Sequence, residues 1–439
     1  MRKGLLLVAL FCGEIHAQDL VEVYRSAQVM DASFQRARDT LTASQEKLPQ
    51  ARAALLPLVS LGGGYSVNDG RADLTETDQP YRWKTKKYAL VLSQPIFDYS
   101  SWKSYQQSKK ALVADEITFL LAQQDLILRI CDGYFSVLNA QDRIDAIRAT
   151  KRSIEEELMA AREGLRKGTS TIIDQQEAEA QFDLSSVDEL AEINNLELKK
   201  DALRKMTQKP VSNLMKLPND VNIVPPVDGN IEYWFEASQK GNLNANLQAA
   251  RLEVARLEVE KVKAGYLPTV SLSASAGASN QLGRSPTLES GRINTNTLEI
   301  QINIPIFSGY STESKVREAV ALRSQAEDDL ELAIRNAQQD IRAAYLDVKS
   351  GLARVNALET VKVSSASVLE SMRLGYKLGV KTYIDVLKAQ RQLSQAELNL
   401  SKSRYDTILG YLRLRASAGM LTEEDIVQVN SLLSVAEPE

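Results

Sequence analysis

Two pairs of short segments alternate apolar and polar residues, which is the pattern of β-strands with two unlike faces. The four segments are residues 59–67, 88–96, 270–278 and 298–306. In the last segment Leu298, Ile300 and Ile302 alternate with polar residues. Each run has the ~9–11 residues that a tilted strand needs to cross a bilayer. The pattern predicts four strands per chain, each with an apolar and a polar face.

The apolar faces of these strands leave two interpretations open. A soluble sheet with one wet face is the first. The second is a membrane sheet, favoured because few helical residues remain to cover the apolar faces and because aromatic residues cluster near the strand ends. These aromatic residues are Tyr81, Trp83, Tyr88, Phe97, Tyr99 and Trp102. Since an open sheet edge cannot exist in hydrocarbon, four membrane strands would have to close with other copies of the chain, and their polar faces would line a lumen.

Most of the remaining chain has helical periodicity. Residues 100–163 and 311–374 contain no proline, and each would extend for roughly 95 Å as a helix. Apolar residues within them recur at alternating spacings of three and four, which is typical of a coiled-coil seam. The two seams are Ile127, Ile130, Tyr134 and Val137, and Ile341, Tyr345, Val348, Leu352 and Val355. The sequence therefore predicts long antiparallel helices.

A glycine-bearing turn interrupts each long helical run. In the second, Gly375 and Gly379 allow left-handed backbone that ends a helix. Thr382 then begins the next helix, with Asp385 as its capping-box partner. The first run repeats this arrangement with its own glycine, threonine and aspartate, which are Gly168, Thr171 and Asp174.

The two aspartates of these turns have two interpretations. Helix capping is sufficient by itself. Alternatively, if the turns of several copies converge around one axis, one carboxylate per copy would form an acidic ring that sets ion selectivity. Lys388, one turn after Asp385, would weaken that negative field.

The chain is an internal duplication. Pro57 corresponds to Pro268 and Tyr134 to Tyr345, both 211 residues apart, whereas residues 92–101 correspond to 302–311 at a separation of 210. We assign the domains as a signal peptide (1–17), a first repeat (18–208), a linker rich in proline and asparagine (209–230), a second repeat (231–418) and a C-terminal tail (419–439).

Composition narrows the functional class. The basic, then apolar, start of the chain predicts a secretory signal cleaved after Ala17. Cleavage removes the single histidine, His16, and leaves Cys131 as the single cysteine, which excludes histidine-dependent catalysis and histidine metal sites. A net charge of -4 gives no indication of nucleic-acid binding, and no phosphate-binding loop for a nucleotide occurs. We expect no cofactor, and the protein is not expected to be an enzyme.

Several motifs resemble the TolC family of outer-membrane efflux and type I secretion channels, over about residues 19–435. They are the duplicated strand entries "LPLVSL" and "LPTVSL", "QPIFDYSSW" with "IPIFSGY", "GYFSVLNAQD", "GYKLGVKTYIDVL" and "YLRLRASAGMLTEEDI". The resemblance implies an α+β membrane protein. In such a protein, four strands from each chain of a homotrimer would form one shared 12-stranded barrel, and coiled-coil helices would form a periplasmic tunnel.

The resemblance also implies partners and site residues. A periplasmic adaptor and an inner-membrane transporter of the ABC, RND or MFS class would dock at the helical end, with outer-membrane lipid around the barrel. The gate and aperture would comprise Asp174, Tyr376, Lys381, Asp385 and Lys388. The adaptor-docking turns would comprise Gly164, Gly168, Gly375, Lys377, Gly379 and Val380. Lys388 stands where the family has a second aspartate, and Lys381 where an arginine is common.

The predicted function is passive exit of substrates through the outer membrane of a Gram-negative bacterium, for type I protein secretion, multidrug efflux or both. One alternative is a periplasmic coiled-coil structural or adaptor protein without a channel. Another is an exported carboxylate-dependent hydrolase, but the paired acids Glu156 and Glu157 are expected on a solvated helix face.

Overall fold

The computed structural model describes residues 18–72, 79–168, 170–211, 213–218, 230–285 and 289–434. The predicted signal peptide lies outside the described residues, as do residue 212 and residues 219–229 of the predicted linker.

Within these residues the order helix pair, strand pair, long helix, second helix occurs twice. The helices of the first half are α1 Leu20–Met30, α2 Ala32–Ala53, α3 Tyr99–Lys167 and α4 Ile172–Thr207. Those of the second half are α5 Ile231–Gly241, α6 Leu243–Lys263, α7 Ser311–Lys377, α8 Tyr383–Ser417 and the short C-terminal α9 Glu423–Asn430. The strands are β1 Leu58–Ala72, β2 Gln79–Phe97, β3 Thr269–Arg284 and β4 Gly291–Asn303. None of the described helices is both long enough and apolar enough to cross a membrane.

All four predicted strands exist, but their bounds differ from those predicted. Each strand extends beyond the alternating run, and β2 reaches 19 residues. The prediction was wrong at the end of the last strand, because Ile304 and Ile306 lie beyond β4. Pro305 follows Ile304 and has no N–H to donate to a strand ladder, which accounts for the end of pairing there.

The strands form one antiparallel sheet in the order β1-β2-β3-β4. The pairing of β2 with β3 joins the hairpins of the two halves of the chain. One row across the sheet places Val59, Leu92, Ala274 and Leu298 side by side. The predicted apolar faces therefore form one continuous face, and β1 and β4 are the edges of the sheet.

Contacts divide the chain into two units, and each contains segments from both halves of the sequence. The first comprises the described residues up to Arg38, those of Phe119–Ala245 and those from Ile334 onward. The second comprises Asp39–Thr118 and Asn246–Ala333, and it holds the sheet. The helices α2, α3, α6 and α7 belong partly to each unit.

The core of the first unit is built on the predicted seams. Ile127, Ile130 and Tyr134 of α3 are fully buried, as are Ile341 and Val348 of α7. This confirms the inward face that the spacing of threes and fours predicts for both helices.

The described part of the predicted linker is packed into this core. Leu214 is buried, and the Tyr134 hydroxyl donates to the Met215 carbonyl at 2.9 Å. Residues Gln18 and Ser434 pair with Leu214 and Lys216 through backbone bridges. Residues 213–218 therefore hold the first and last described residues of the chain together.

Candidate functional site

The turn between α7 and α8 is closed by backbone hydrogen bonds. Gly379 has φ +73°, and its N–H donates to the Tyr376 carbonyl at 2.9 Å. The Gly375 carbonyl accepts from the N–H groups of Val380 and Lys381 at 2.9 and 3.2 Å. These bonds satisfy carbonyl groups that a helix end would otherwise leave unpaired.

Both following helices begin with the predicted capping box. The Asp385 carboxylate accepts from the Thr382 backbone N–H at 3.1 Å, and the Thr382 hydroxyl accepts in return from the Asp385 N–H at 3.3 Å. Thr171 and Asp174 make the same pair of bonds at 2.8 and 3.2 Å. The capping interpretation is thus confirmed at both turns.

The prediction of left-handed backbone at Gly375 was wrong. This residue lies inside α7 and is not among the glycines with positive φ. A Cβ at this position would come within 2.8 Å of the Lys381 Cγ. Gly375 therefore makes room for the Lys381 side chain, while Gly379 and Gly168, at φ +73° and +74°, supply the left-handed backbone.

Both capping carboxylates are charged and accessible to solvent. Hydrogen bonds from Thr171 lower the pKa of Asp174, and those from Thr382 lower the pKa of Asp385. Lys381 and Lys388 lower the pKa of Asp385 further by charge attraction. The two lysines thus lie close enough to Asp385 to reduce the negative field around it.

A tyrosine pair connects the second hairpin to the first. The rings of Tyr376 and Tyr383 meet edge to face, with centroids 5.5 Å apart. The Tyr383 hydroxyl donates to the Ser153 carbonyl of α3 at 2.6 Å. Burial, and then the nearby charges of Glu157 and Glu156, raise the pKa of Tyr383 to about 12, so the hydroxyl keeps its proton for this bond.

Beside this pair, a cleft of about 520 Å³ separates the start of α8 from the first hairpin. Its charged lining residues are Glu157, Asp174, Glu177, Lys388 and Arg391. Arg391 hydrogen-bonds to Gln181 of α4 across the cleft. Burial, followed by charge repulsion from Glu177 and Asp174, raises the pKa of Glu157 to about 7.

The structure brings together some of the predicted site residues. Asp174 and Tyr376 line the same cleft, but among the described contacts no hydrogen bond joins them. Lys381 packs against Gly375 rather than against Asp174. Lys377 and Val380 are exposed on the turn, and Gly164 accepts a backbone hydrogen bond from Ser170 at 3.3 Å.

Sequence reasoning missed three residues of this site and misjudged a fourth. Tyr383, Ser153 and Arg391 were not singled out, because their contacts join segments far apart in the chain. Glu157 was expected on a solvated helix face, and that was wrong: its Oε2 atom is buried without a hydrogen-bond partner among the described residues. Tyr383 could have been identified from the sequence by its position directly after the cap residue Thr382.

The Outer membrane efflux protein family model matches residues 23–207 and 238–420 of this chain. The chain is 31% identical to Outer membrane protein TolC of Vibrio cholerae, over 96% of this chain and 95% of that protein. It is 30% identical to Alkaline protease secretion protein AprF of Pseudomonas aeruginosa, over 93% and 86%. The Campylobacter jejuni CmeC outer membrane channel has the same fold, with a TM-score of 0.79 at 17% identity, covering 94% of this chain and 90% of that chain.

These matches confirm the predicted fold class, the outer-membrane location and the function as an export channel. They do not support the alternative of a periplasmic scaffold without a channel, since relatives over nearly the whole chain are outer-membrane proteins. The chain belongs to the outer membrane efflux protein family of Gram-negative bacteria, a family of channel proteins.

Proposed function

We propose that three copies of this chain form one passive exit duct with a 12-stranded barrel. The support is the sheet itself, in which β1 and β4 are edges without a partner strand in the described chain. An edge cannot remain unpaired in a bilayer, so the sheet has to close through other copies. The barrel would continue into a tunnel of the long helices, without any catalytic step.

The gate of this duct lies at the turns of the helical hairpins. The observation that carries this assignment is the contact chain from Tyr376 through Tyr383 to the Ser153 carbonyl, which ties the second hairpin to the first. Tyr376 is itself 44% exposed, so its hydroxyl is available to a neighbouring copy. Asp174 and Lys381 of adjacent copies complete the closure, and release of these contacts lets the second hairpin move outward.

The aperture inside the gate carries Asp385 and Lys388. Lys388 is exposed and influences the Asp385 carboxylate, so the ring carries less negative charge than one built from aspartates alone. Cation selectivity is therefore weak.

Energy and cargo come from partners. The relatives Alkaline protease secretion protein AprF and Proteases secretion protein PrtF carry secretion in their names, and others are efflux proteins. By this analogy a periplasmic adaptor grips the exposed turns at Lys377 and Val380, and an inner-membrane ABC, RND or MFS transporter delivers the substrate.

Single-channel conductance tests the gate. Tyr376→Phe combined with Lys381→Ser removes a hydroxyl and a charge from the closed contacts, so we expect conductance in planar lipid bilayers to rise several-fold. Each lost hydrogen bond to a charged partner is worth about 1.5–3 kcal/mol, enough to shift a closed population.

The matched control is Tyr345→Phe combined with Lys349→Ser, which makes the same chemical changes on α7 away from the turn. Tyr345 makes no side-chain hydrogen bond in the described part of the chain, and Lys349 is exposed. Unchanged conductance in the turn variant, or an equal rise in the control, would refute the gate assignment.

A further inference from the structure

On β2 the apolar face ends at Tyr88. Between Tyr88 and Phe97, this strand contributes Leu90 and Leu92 to that face. An apolar barrel band ~25 Å tall corresponds to about ten residues of a strand that is tilted by ~40° and rises ~3.3 Å per residue. Tyr88 therefore stands where an interfacial aromatic residue is expected, at one margin of the hydrocarbon layer.

Beyond Tyr88 the same face of β2 becomes basic. Lys86, Lys84 and Arg82 follow at every second position, and all three are exposed. Arg292 of β4 lies in the same row as Lys86, with Asn280 of β3 between them. Because alternate residues share a face, these four cations belong to the outer, apolar-band side and not to the lumen.

The face carries little negative charge to balance them. Among the strand residues that the structure describes, Asp69 is its one acid, and it pairs with Arg82 at 2.9 Å. Lys84 lies between Val67 and Leu282, and Lys86 between Tyr65 and Asn280. Neither lysine has an ion-pair partner within the described ranges.

Arg292 of β4 contacts neutral groups. It donates to the Tyr88 hydroxyl at 2.9 Å and to Asn294 at 3.2 Å. These partners orient the guanidinium group, and no carboxylate among the described residues pairs with its positive charge. Arg284 of β3 does not belong to this set, because it follows Gly283 at φ +100° and its guanidinium lies 5.6 Å from the centre of the Tyr81 ring, on the opposite face.

The basic end of the sheet is the end away from the helices. The chain passes into α3 just after Phe97, whereas the four cations lie towards the hairpin connections at 73–78 and 286–288. In an outer-membrane protein whose helices occupy the periplasm, this end faces the outside of the cell. The cations therefore meet the outer leaflet just beyond its hydrocarbon.

We propose that Lys84, Lys86 and Arg292 form a binding surface for the phosphate groups of outer-leaflet lipids. Arginine offers a planar fork that matches phosphate oxygens, and lysine contributes a mobile point charge. The adjoining apolar band holds the acyl chains of the same lipid, so headgroup and chains bind together. This surface anchors the barrel at a fixed depth; it rests on the outer-membrane location and is independent of the gate.

The test measures lipid binding to the purified full-length protein in nonionic detergent by native mass spectrometry. The probes are lipid A with two phosphates, the same lipid with both phosphates removed, and inorganic phosphate. Since one cation near an anionic lipid surface contributes about a fivefold change in affinity, Lys84→Gln with Lys86→Gln should weaken binding of bisphosphorylated lipid A by roughly tenfold to thirtyfold. The dephosphorylated lipid should bind both proteins equally.

The matched control is Lys87→Gln, because Lys87 is a neighbouring lysine of the same strand on the opposite face. It should retain wild-type affinity. The proposal is overturned if the double variant binds like the wild type, if Lys87→Gln loses as much, or if inorganic phosphate binds as tightly as the lipid.

A conductance measurement distinguishes this surface from the gate. Single-channel conductance of the double variant should stay at the wild-type value, since neither lysine belongs to the gate. The connection at 73–78, which lies outside the described residues, contains Asp73, Glu76 and Asp78. If these acids neutralised the lysines, the wild type would show no preference for phosphorylated lipid, and the proposal would fail.

Discussion

Glu157 lies in an environment that differs from what its residue type suggests. A glutamate near the end of a long helix is ordinarily solvated, yet here its Oε2 atom is buried without a partner among the described residues. Glu177 and Asp174 face it from α4, and Arg391, Lys388 and Tyr383 face it from α8. Burial and the two acids outweigh Arg391, so the pKa of Glu157 rises to about 7.

The raised pKa predicts a dependence of stability on pH. The pKa of Glu157 in the folded protein is above its unfolded value of 4.5, so the folded state binds the proton more tightly. The contribution of the protonated carboxyl to the free energy of unfolding is therefore complete below about pH 4.5 and is lost as the pH rises through about 7. The carboxyl is only partly buried, so we expect a loss below about 1 kcal/mol per chain. Glu157→Gln should reduce the fall in Tm between pH 5 and pH 8, measured by calorimetry.

The exposed neighbour provides the control for this experiment. Glu156→Gln removes a carboxyl of the same kind one residue away and should leave the pH dependence at its wild-type size. If both variants, or neither, flatten the dependence of Tm on pH, the cleft around Glu157 is not its source.

At the scale of elements, the internal duplication predicts how neighbouring copies pair. Within one chain, β2 pairs with β3 so that Leu92 lies opposite Ala274. In the duplication, Leu92 of β2 corresponds to Ile302 of β4, 210 residues later, and Ala274 of β3 corresponds to Gly63 of β1, 211 residues earlier. If β4 pairs with β1 of the next copy in the same register, Glu299 should lie opposite Ser66 of that copy, both on the lumen face.

Engineered cysteines test this pairing. Ser66→Cys with Glu299→Cys should form a disulfide between chains under mild oxidation, giving a covalent trimer on denaturing gels. The control is Ser66→Cys with Thr295→Cys, which shifts one cysteine by about 13 Å along the same face, beyond the ~7 Å Cα separation that a disulfide can bridge. Cys131 is buried and should not interfere. Equal cross-linking in both pairs, or none in either, would contradict the proposed register.

At the scale of the whole molecule, the exposed hairpin turn is the expected meeting point with other proteins. Leu378 and Val380 are 69% and 74% exposed beside Lys377, an apolar surface unlike the polar helices around it. A photoreactive residue placed at Lys377 in living cells should therefore capture a periplasmic adaptor, identified by mass spectrometry. The same residue placed at Lys349, exposed on α7 outside the turn, is the control.

Capture of an adaptor from Lys377 and not from Lys349 would support docking at the turn. Capture from both positions at equal yield would argue against a specific tip contact. Cytoplasmic partners would contradict the predicted export of the chain.

Local rules of backbone chemistry were sufficient to determine several features from sequence alone. The capping boxes at Thr171 and Thr382 depend on residues three apart, and the buried seams depend on spacings of three and four. Such interactions are complete within one element, so the residues that form them can be recognised in a single sequence. The duplication was equally visible, because it is a property of the sequence itself.

Only the tertiary structure decided what depends on residues distant in the chain. Gly375 and Gly379 look alike in sequence, yet the first accommodates the Lys381 side chain and the second supplies a left-handed turn. Glu157, Tyr383 and Ser153 acquire their roles where two hairpins meet. Burial and charge coupling between separate elements depend on packing in three dimensions, which sequence spacing does not encode.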